Sequence, residues 1–399
     1  MRILLLNDHA MAVGGGEVMV ITLRDELRRR GHDARIFASN APVSPLPSVA
    51  DYECFGTTSR ARGLVQSANP WAAAALRRVM RQFRPDVVHV TMFMTQLSPL
   101  VLPVIRGVPS LFHAVWYRYV CPTGTKLLPN FTQCRVRAGT ACLTGGCIPL
   151  HDWVPMMMQH ALVHRWSDVF GAVIAVSDAV RDRLTESDVP VDDVIPSPIQ
   201  TREARPPLAG TPIALFAGRL VPNKGADVLL RAFARVRREL PASRLTIIGD
   251  GPMYHELEAL RLGLGLDDAV ELRPHVERHA LERAADTAWV QVVPSVWDEP
   301  FGLAAAEAMM RGTAVVASNS GGLPGVVGNV DPVTLTPPRD ETAVANSLLA
   351  LLSDRDRCER VGAALRRSAL DRFAPAIIAD RFLAHYARLG VPSAAGALA

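Results

Sequence analysis

Ile213-Ala-Leu-Phe-Ala-Gly218-Arg219-Leu-Val-Pro-Asn-Lys224-Gly225 passes from a short apolar run into a loop bounded by glycines. A helical pattern over 226–240 follows it. Five apolar residues are too few for a helix and suit a buried strand, so the stretch predicts one strand–loop–helix unit of an α/β protein. The same order recurs downstream. Strand 245–248 meets Gly249-Asp-Gly-Pro252 and a helix; strand 290–293 meets loop 294–300 and helix 301–311; strand 314–317 ends at Gly321-Gly322. From 340 to 389 the pattern is helical throughout.

Upstream the grammar is similar. Strand 3–6 leads through a glycine-rich loop at 7–16 into a helix over 17–30, which Gly31 stops as a C-terminal cap. Strands follow at 34–38, 87–90, 109–113 and 172–176, with a helix over 71–83 before the third of these five. Residues 196–212 carry five prolines and read as a linker. The expected architecture is therefore two Rossmann-like, doubly wound α/β domains facing across a cleft. The first covers 1–200 and contains a cysteine-rich loop at 114–150; the second covers 201–374, and 375–399 forms a helix returning to the first.

The chain has 399 residues, 49% of them hydrophobic, which excludes a disordered protein and suits two cores. No apolar run is long enough to span a membrane, and the first apolar stretch stops at Asn7-Asp8, too soon for a signal peptide. The expected compartment is the cytoplasm, with contact at the inner face of the membrane. A net charge of +4 is too small to argue for nucleic acid, and no nucleic-acid motif accompanies it. Two arginine patches, Leu27-Arg-Arg-Arg30 and Leu76-Arg-Arg-Val-Met-Arg81, suit either an anionic membrane or a solvated helix face.

In open α/β sheets ligands bind beyond the carboxyl ends of the strands, so the loops there carry the chemistry. Gly14-Gly15-Gly16 opens the first helix, where bare backbone and free amides favour an anion. Arg219 and Lys224 occupy the equivalent loop of the second domain, a fork and a point charge suited to a diphosphate. Glu299 and Glu307 stand eight residues apart, with Phe301-Gly302-Leu303 between them at a helix start. That spacing suits hydroxyls at the two ends of a ligand whose central anion meets the helix amides. Glu307, flanked by Ala305, Ala306, Ala308 and Met309, is expected to be buried.

Together these motifs resemble the retaining glycosyltransferases of the GT-B superfamily, family 4 type. The resemblance rests on Gly14 to Gly16, Gly218-Arg219 with Lys224-Gly225, Gly249-Asp-Gly-Pro252, and Pro294-Ser295 through Glu299-Pro-Phe-Gly to Glu307, then Gly321-Gly322. It implies that Arg219 and Lys224 neutralise the diphosphate of a nucleotide-sugar donor. Glu299 would hold the transferred sugar and Glu307 the ribose. Gly15, Gly16, Gly218, Gly249, Phe301, Gly302 and Leu303 would line the donor, and His113 would approach the sugar. The family usually has Asp after that histidine and often Glu after Gly-Gly-x-Pro, where this chain has Ala114 and Gly325. The implied reaction is metal-independent front-face transfer to a hydroxyl of a glycan or lipid-linked acceptor. A catalytically silent nucleotide-sugar-binding subunit, or an epimerase on the same fold, is the alternative.

Cys121, Cys134, Cys142 and Cys147 fall within one loop, separated by 12, 7 and 4 residues. A structural zinc on four thiolates is the first reading, with disulfides, an iron–sulfur cluster or unlinked thiols as the others.

Overall fold

The structure, a computed structural model, describes residues 1–391 apart from 13, 60, 61, 275 and 277 and the side chain of Arg278. The last eight residues of the expected returning segment lie outside the described residues. Two compact units are present. Met1–Pro198 joins the chain from Pro375 onward, and Ile199–Ala374 forms the other.

The first unit holds a parallel sheet of seven strands: β1 (Arg2–Leu6), β2 (Asp33–Ser39), β3 (Tyr52–Cys54), β4 (Val87–Val90), β5 (Ser110–Ala114), β6 (Ala172–Ala175) and β7 (Asp193–Val194). Their order is β3-β2-β1-β4-β5-β6-β7. Ile3 to Leu6 are all buried, as a parallel sheet covered on both faces requires. The Gly15–Arg29 helix packs on the Pro375–Arg388 helix, and Leu23, Ile36, Phe382 and Tyr386 share one core with Leu5. Helices Arg62–Ser67, Pro70–Phe83 and Leu150–Trp166 contribute nothing to that core, and the first and last of them pack on each other. The Pro70–Phe83 helix begins with proline at its first position, and the Asn69 side chain accepts from the Ala72 amide at 3.0 Å.

The second unit repeats the plan with β8 (Ile213–Ala217), β9 (Arg244–Ile248), β10 (Val270–Arg273), β11 (Val290–Val293), β12 (Ala314–Ser318) and β13 (Leu335–Thr336), ordered β10-β9-β8-β11-β12-β13 and parallel. Two expectations are corrected here. Residues 199–212 are no free linker: Ile199, Arg205 and Leu208 are buried, Arg205 pairs with Glu359 at 2.8 Å, and Arg202 pairs with Glu282 at 2.8 Å. Proline forbids ladder hydrogen bonds, but it does not forbid packing. The helix expected over 301–311 begins at Leu303, because Gly302 caps it with φ +110°.

Candidate active site

In the second sheet the strand order reverses between β8 and β11, the position where open α/β sheets take ligands. The loops after these two strands meet there. Val296 donates its amide to Asn223 O at 3.0 Å. Gly225, with φ +69°, turns the first loop into the Ala226–Glu239 helix, and a Cβ there would stand 2.0 Å from Pro294 O. Only glycine lets the loops approach so closely.

Lys224 Nζ donates to Glu299 Oε1 at 2.5 Å and lies 5.8 Å from the centre of the Trp297 ring. Ser295 Oγ donates to the same carboxylate oxygen at 2.6 Å. Burial alone would raise the Glu299 carboxyl, but the Lys224 ammonium and hydrogen bonds from Ser295 and Trp297 outweigh it and hold it below the ordinary value. A third loop supports this one from β12: Gly322 donates its amide to Glu299 O at 2.7 Å, and Ser320 Oγ donates to Asp298 Oδ1 at 2.8 Å.

The other expected residues of this unit are arranged around the pair. Arg219 is exposed, and among the described residues nothing pairs with its guanidinium. Gly218 and Gly249 stack at the ends of β8 and β9, where a Cβ on Gly249 would meet Gly218 O at 1.8 Å. Phe301 is buried, Gly302 caps the next helix and Leu303 begins it, so the first helix amides face outward from this loop end without intrahelical acceptors. Glu307 corrects its expectation: it is exposed, while Ala305, Ala306, Ala308 and Met309 are buried. At 100° per residue those four share one arc of the helix and Glu307 points the other way.

In the first unit the equivalent reversal lies between β1 and β4. Gly15 and Gly16 form the first turn of the Gly15–Arg29 helix, with Gly14 as its cap. A Cβ on Gly16 would meet Met92 Cε at 2.8 Å. Two carboxylates that the sequence reading passed over are buried here. Asp8 accepts the amides of Thr95, Gln96 and Leu97 at 2.7–2.9 Å. Glu17 is pushed up to about 7, by burial first, against the pull of its own amide and with the Asp8 charge adding to it. His113 is set apart from these groups. It lies fully buried on β5, its Nε2 bonded to Ile195 O at 3.1 Å and its ring 5.0 Å from Phe382, enclosed by the core of its own unit.

Two family descriptions match the chain in succession, "Glycosyltransferase Family 4" over residues 13–203 and "Glycosyl transferases group 1" over 200–368. The chain is a glycosyltransferase of the GT-B type. Its two Rossmann-like units also occur in sucrose-phosphate synthase from Thermosynechococcus elongatus, with a TM-score of 0.70 at 22% identity over 98% of this chain and 100% of that one. Anabaena HepE in complex with UDP and glucose superposes at a TM-score of 0.68 with 18% identity, over 97% and 99%. In sequence, the glycosyltransferase is 27% identical to 2-deoxystreptamine N-acetyl-D-glucosaminyltransferase of Streptomyces fradiae, over 96% of this chain and 93% of that one. It is 39% identical to D-inositol 3-phosphate glycosyltransferase of Xylanimonas cellulosilytica, but over only 45% of this chain and 43% of that protein.

Two further features of the glycosyltransferase lie away from these loops. Cys121, Cys134, Cys142 and Cys147 are free thiols. Burial first, and then the neighbouring thiols, raise the proton affinity of Cys142 and Cys147. Among the described residues no three His, Cys, Asp or Glu side chains are placed to hold a metal ion. A cavity of about 700 Å³ borders β10, where Arg261 pairs with Glu258 and Arg273 with Glu271.

In the second unit, Ser295, Trp297 and Asp298 are the site residues that sequence reasoning left without a role. Their signal was adjacency to Glu299 within one loop. Nothing local shows that Ser295 and Trp297 bond Glu299 while Asp298 turns to Ser320.

Proposed function

We propose that this glycosyltransferase moves a sugar from a nucleotide-diphosphate donor to an acceptor hydroxyl, with retention of configuration and without a catalytic metal. The observation that carries the reading is the Lys224–Glu299 pair at the strand-order reversal, beside the Gly218–Gly225 loop and the helix start at Leu303. Lys224, Arg219 and the helix amides would take the charge that develops on the leaving diphosphate. Preorganised donors of this kind are the largest catalytic term in many enzymes. Glu299, kept ionised by Lys224, would accept hydrogen bonds from sugar hydroxyls, and the exposed Glu307 carboxylate would accept from the ribose. The acceptor hydroxyl would attack on the face the diphosphate leaves, its proton passing to a departing phosphate oxygen as the new glycosidic bond replaces the old one.

The acceptor is read as a glycan or lipid-linked polyol. Relatives named for 2-deoxystreptamine and D-inositol 3-phosphate make ring polyols the first compounds to try. A thermal-shift screen of UDP-, GDP- and ADP-sugars identifies the donor, since a ligand that binds only the folded state raises the unfolding midpoint. Product anomeric configuration by NMR, with chelator present, then tests retention and metal independence. An inverted product, or turnover abolished by chelator, overturns those parts.

A further inference from the structure

Glu17 is a carboxylate held in the fold without a cation. It is the third residue of the Gly15–Arg29 helix, beyond the carboxyl end of β1 at the strand-order reversal of the first sheet. Ligands of α/β units bind at that position. The residue is 8% exposed, and among the described residues no Lys, Arg or His pairs with it. A glutamate third in a helix ordinarily reaches back to the amide of the cap residue. Here the cap is Gly14, and among the described residues no hydrogen bond joins its amide to Glu17. The carboxylate folds over that glycine instead, where a Cβ would stand 2.6 Å from Glu17 Oε2, and takes only the amide of Glu17 itself.

The surrounding groups do not relieve it. Asp8, in the loop after β1, is a second carboxylate; three backbone amides hold it, and its charge opposes the ionisation of Glu17. Burial keeps His9 below its ordinary value in spite of Asp8, so it supplies no cation. Arg118 feels the Asp8 charge, but its guanidinium donates to Pro122 O and, at 3.3 and 3.5 Å, to the amide oxygens of Gln66 and Gln159. Two carboxylates placed in this way cost stability. A fold keeps such a cost where a ligand offsets it.

We propose that Glu17 binds an ammonium group of the acceptor, so that the first unit selects amino polyols (an aminocyclitol or an amino sugar) over neutral and phosphorylated ones. A hydroxyl would give Glu17 one hydrogen bond and leave the repulsion from Asp8 in place. An ammonium supplies the bond and offsets both charges. A phosphorylated polyol would bring a further negative charge to the same place. The inference rests on the proposed transfer to a ring polyol and narrows that acceptor to a basic one. Glu17 touches the acceptor away from the reacting hydroxyl, so it fixes which compound binds and takes no part in the proton transfer described above.

The test is isothermal titration of the full chain, without donor, just above pH 7, where Glu17 is mostly ionised and an amine is protonated. The probes are scyllo-inosamine, which carries one ammonium, scyllo-inositol, which has a hydroxyl in its place, and inositol 3-phosphate. The amine should bind about tenfold more tightly than the neutral polyol, the difference between a charge-assisted and a neutral hydrogen bond. In Glu17→Gln the two should bind within about twofold of each other, and Glu17→Asp should keep part of the preference. The glutamine variant sheds an unpaired buried charge, so a lost preference is not lost folding. Equal binding of the amine and the neutral polyol, no binding of the amine, or tighter binding of the phosphate overturns the proposal. A preference that survives Glu17→Gln belongs to another carboxylate and overturns it too. These titrations need neither donor nor turnover, so a failed donor screen and a failure here are read separately.

Discussion

Lys224 and Glu299 are joined across 2.5 Å, and the bond ties the loop after β8 to the loop after β11. Lys224 keeps Glu299 charged in a site where Glu299 is only 6% exposed. Lys224→Ala should therefore lower kcat by about 10²–10³ through loss of a preorganised cation. It should also cost about 3 kcal/mol of stability, because a buried carboxylate is left unpaired. Adding Glu299→Gln should restore the stability and not the activity. Urea unfolding beside initial-rate measurements separates the two effects; wild-type turnover in Lys224→Ala would remove it from the mechanism.

Gly321 underlies the same carboxylate. It holds φ +61°, and a Cβ there would lie 2.4 Å from Glu299 N. Gly321→Ala should displace the Glu299 backbone and cost about 1–3 kcal/mol in backbone strain alone. Activity should fall with it, although the residue carries no chemistry. A Gly321→Ala variant with wild-type KM and kcat would show that the loop absorbs the change.

Gly321 was legible in the sequence as part of a glycine pair, and so was most of the scaffold. Apolar runs such as Ile3 to Leu6 and glycine-bounded loops such as 218–225 announce themselves locally. The strands that escaped notice are short: β10 spans four residues, β3 three, and β7 and β13 two each, too few to show a period. Burial was harder to read than secondary structure. Glu307 has apolar neighbours in sequence, but the turn of the helix sends it to solvent. His113 lies near the end of β5, yet Phe382, distant in sequence, covers it. Such facts arise from non-local packing, which local composition does not encode.

Three histidines of the first unit are buried in their neutral form. Burial holds His89 well below the ordinary range, with His113 adding to the effect. Burial lowers His113 to about 3 against the opposing bond from Ile195, and lowers His160 to about 3 with help from Arg118 and His164. A folded pKa below the unfolded one means stability present above about 6.5 and lost as pH falls. Each histidine should contribute about 1.4 kcal/mol per pH unit to that loss. The midpoint of urea unfolding should therefore drop steeply below pH 6, and His160→Leu should flatten the slope by one histidine's share. An unchanged slope would show that His160 titrates normally.

Cys147 is the only half-buried thiol of the six; the others are buried. It should react first with iodoacetamide in the folded protein. Burial and the neighbouring thiols raise its proton affinity, so the rate should climb with pH beyond the point where a free thiol levels off. Peptide mapping after brief alkylation identifies the site. Four equally protected loop cysteines, with stoichiometric zinc released by a mercurial reagent, would show instead that a metal gathers them.

Glu17 sits in the first turn of the Gly15–Arg29 helix, 8% exposed, with its carboxyl pushed up to about 7. Burial is the main cause and the nearby Asp8 charge adds to it, while the residue's own amide opposes both. A folded pKa above the unfolded value of 4.5 reverses the sign found for the histidines. The stabilisation is complete below about 4.5 and is lost as pH rises through 7. The shift corresponds to about 3 kcal/mol. Glu17→Gln keeps the shape and removes the charge, so it should stabilise the protein by up to that amount at pH 8 and by clearly less at pH 5.5. Urea unfolding of both proteins at the two pH values makes the comparison. Equal effects at both would mean that Glu17 stays ionised throughout, held by a partner stronger than its own amide.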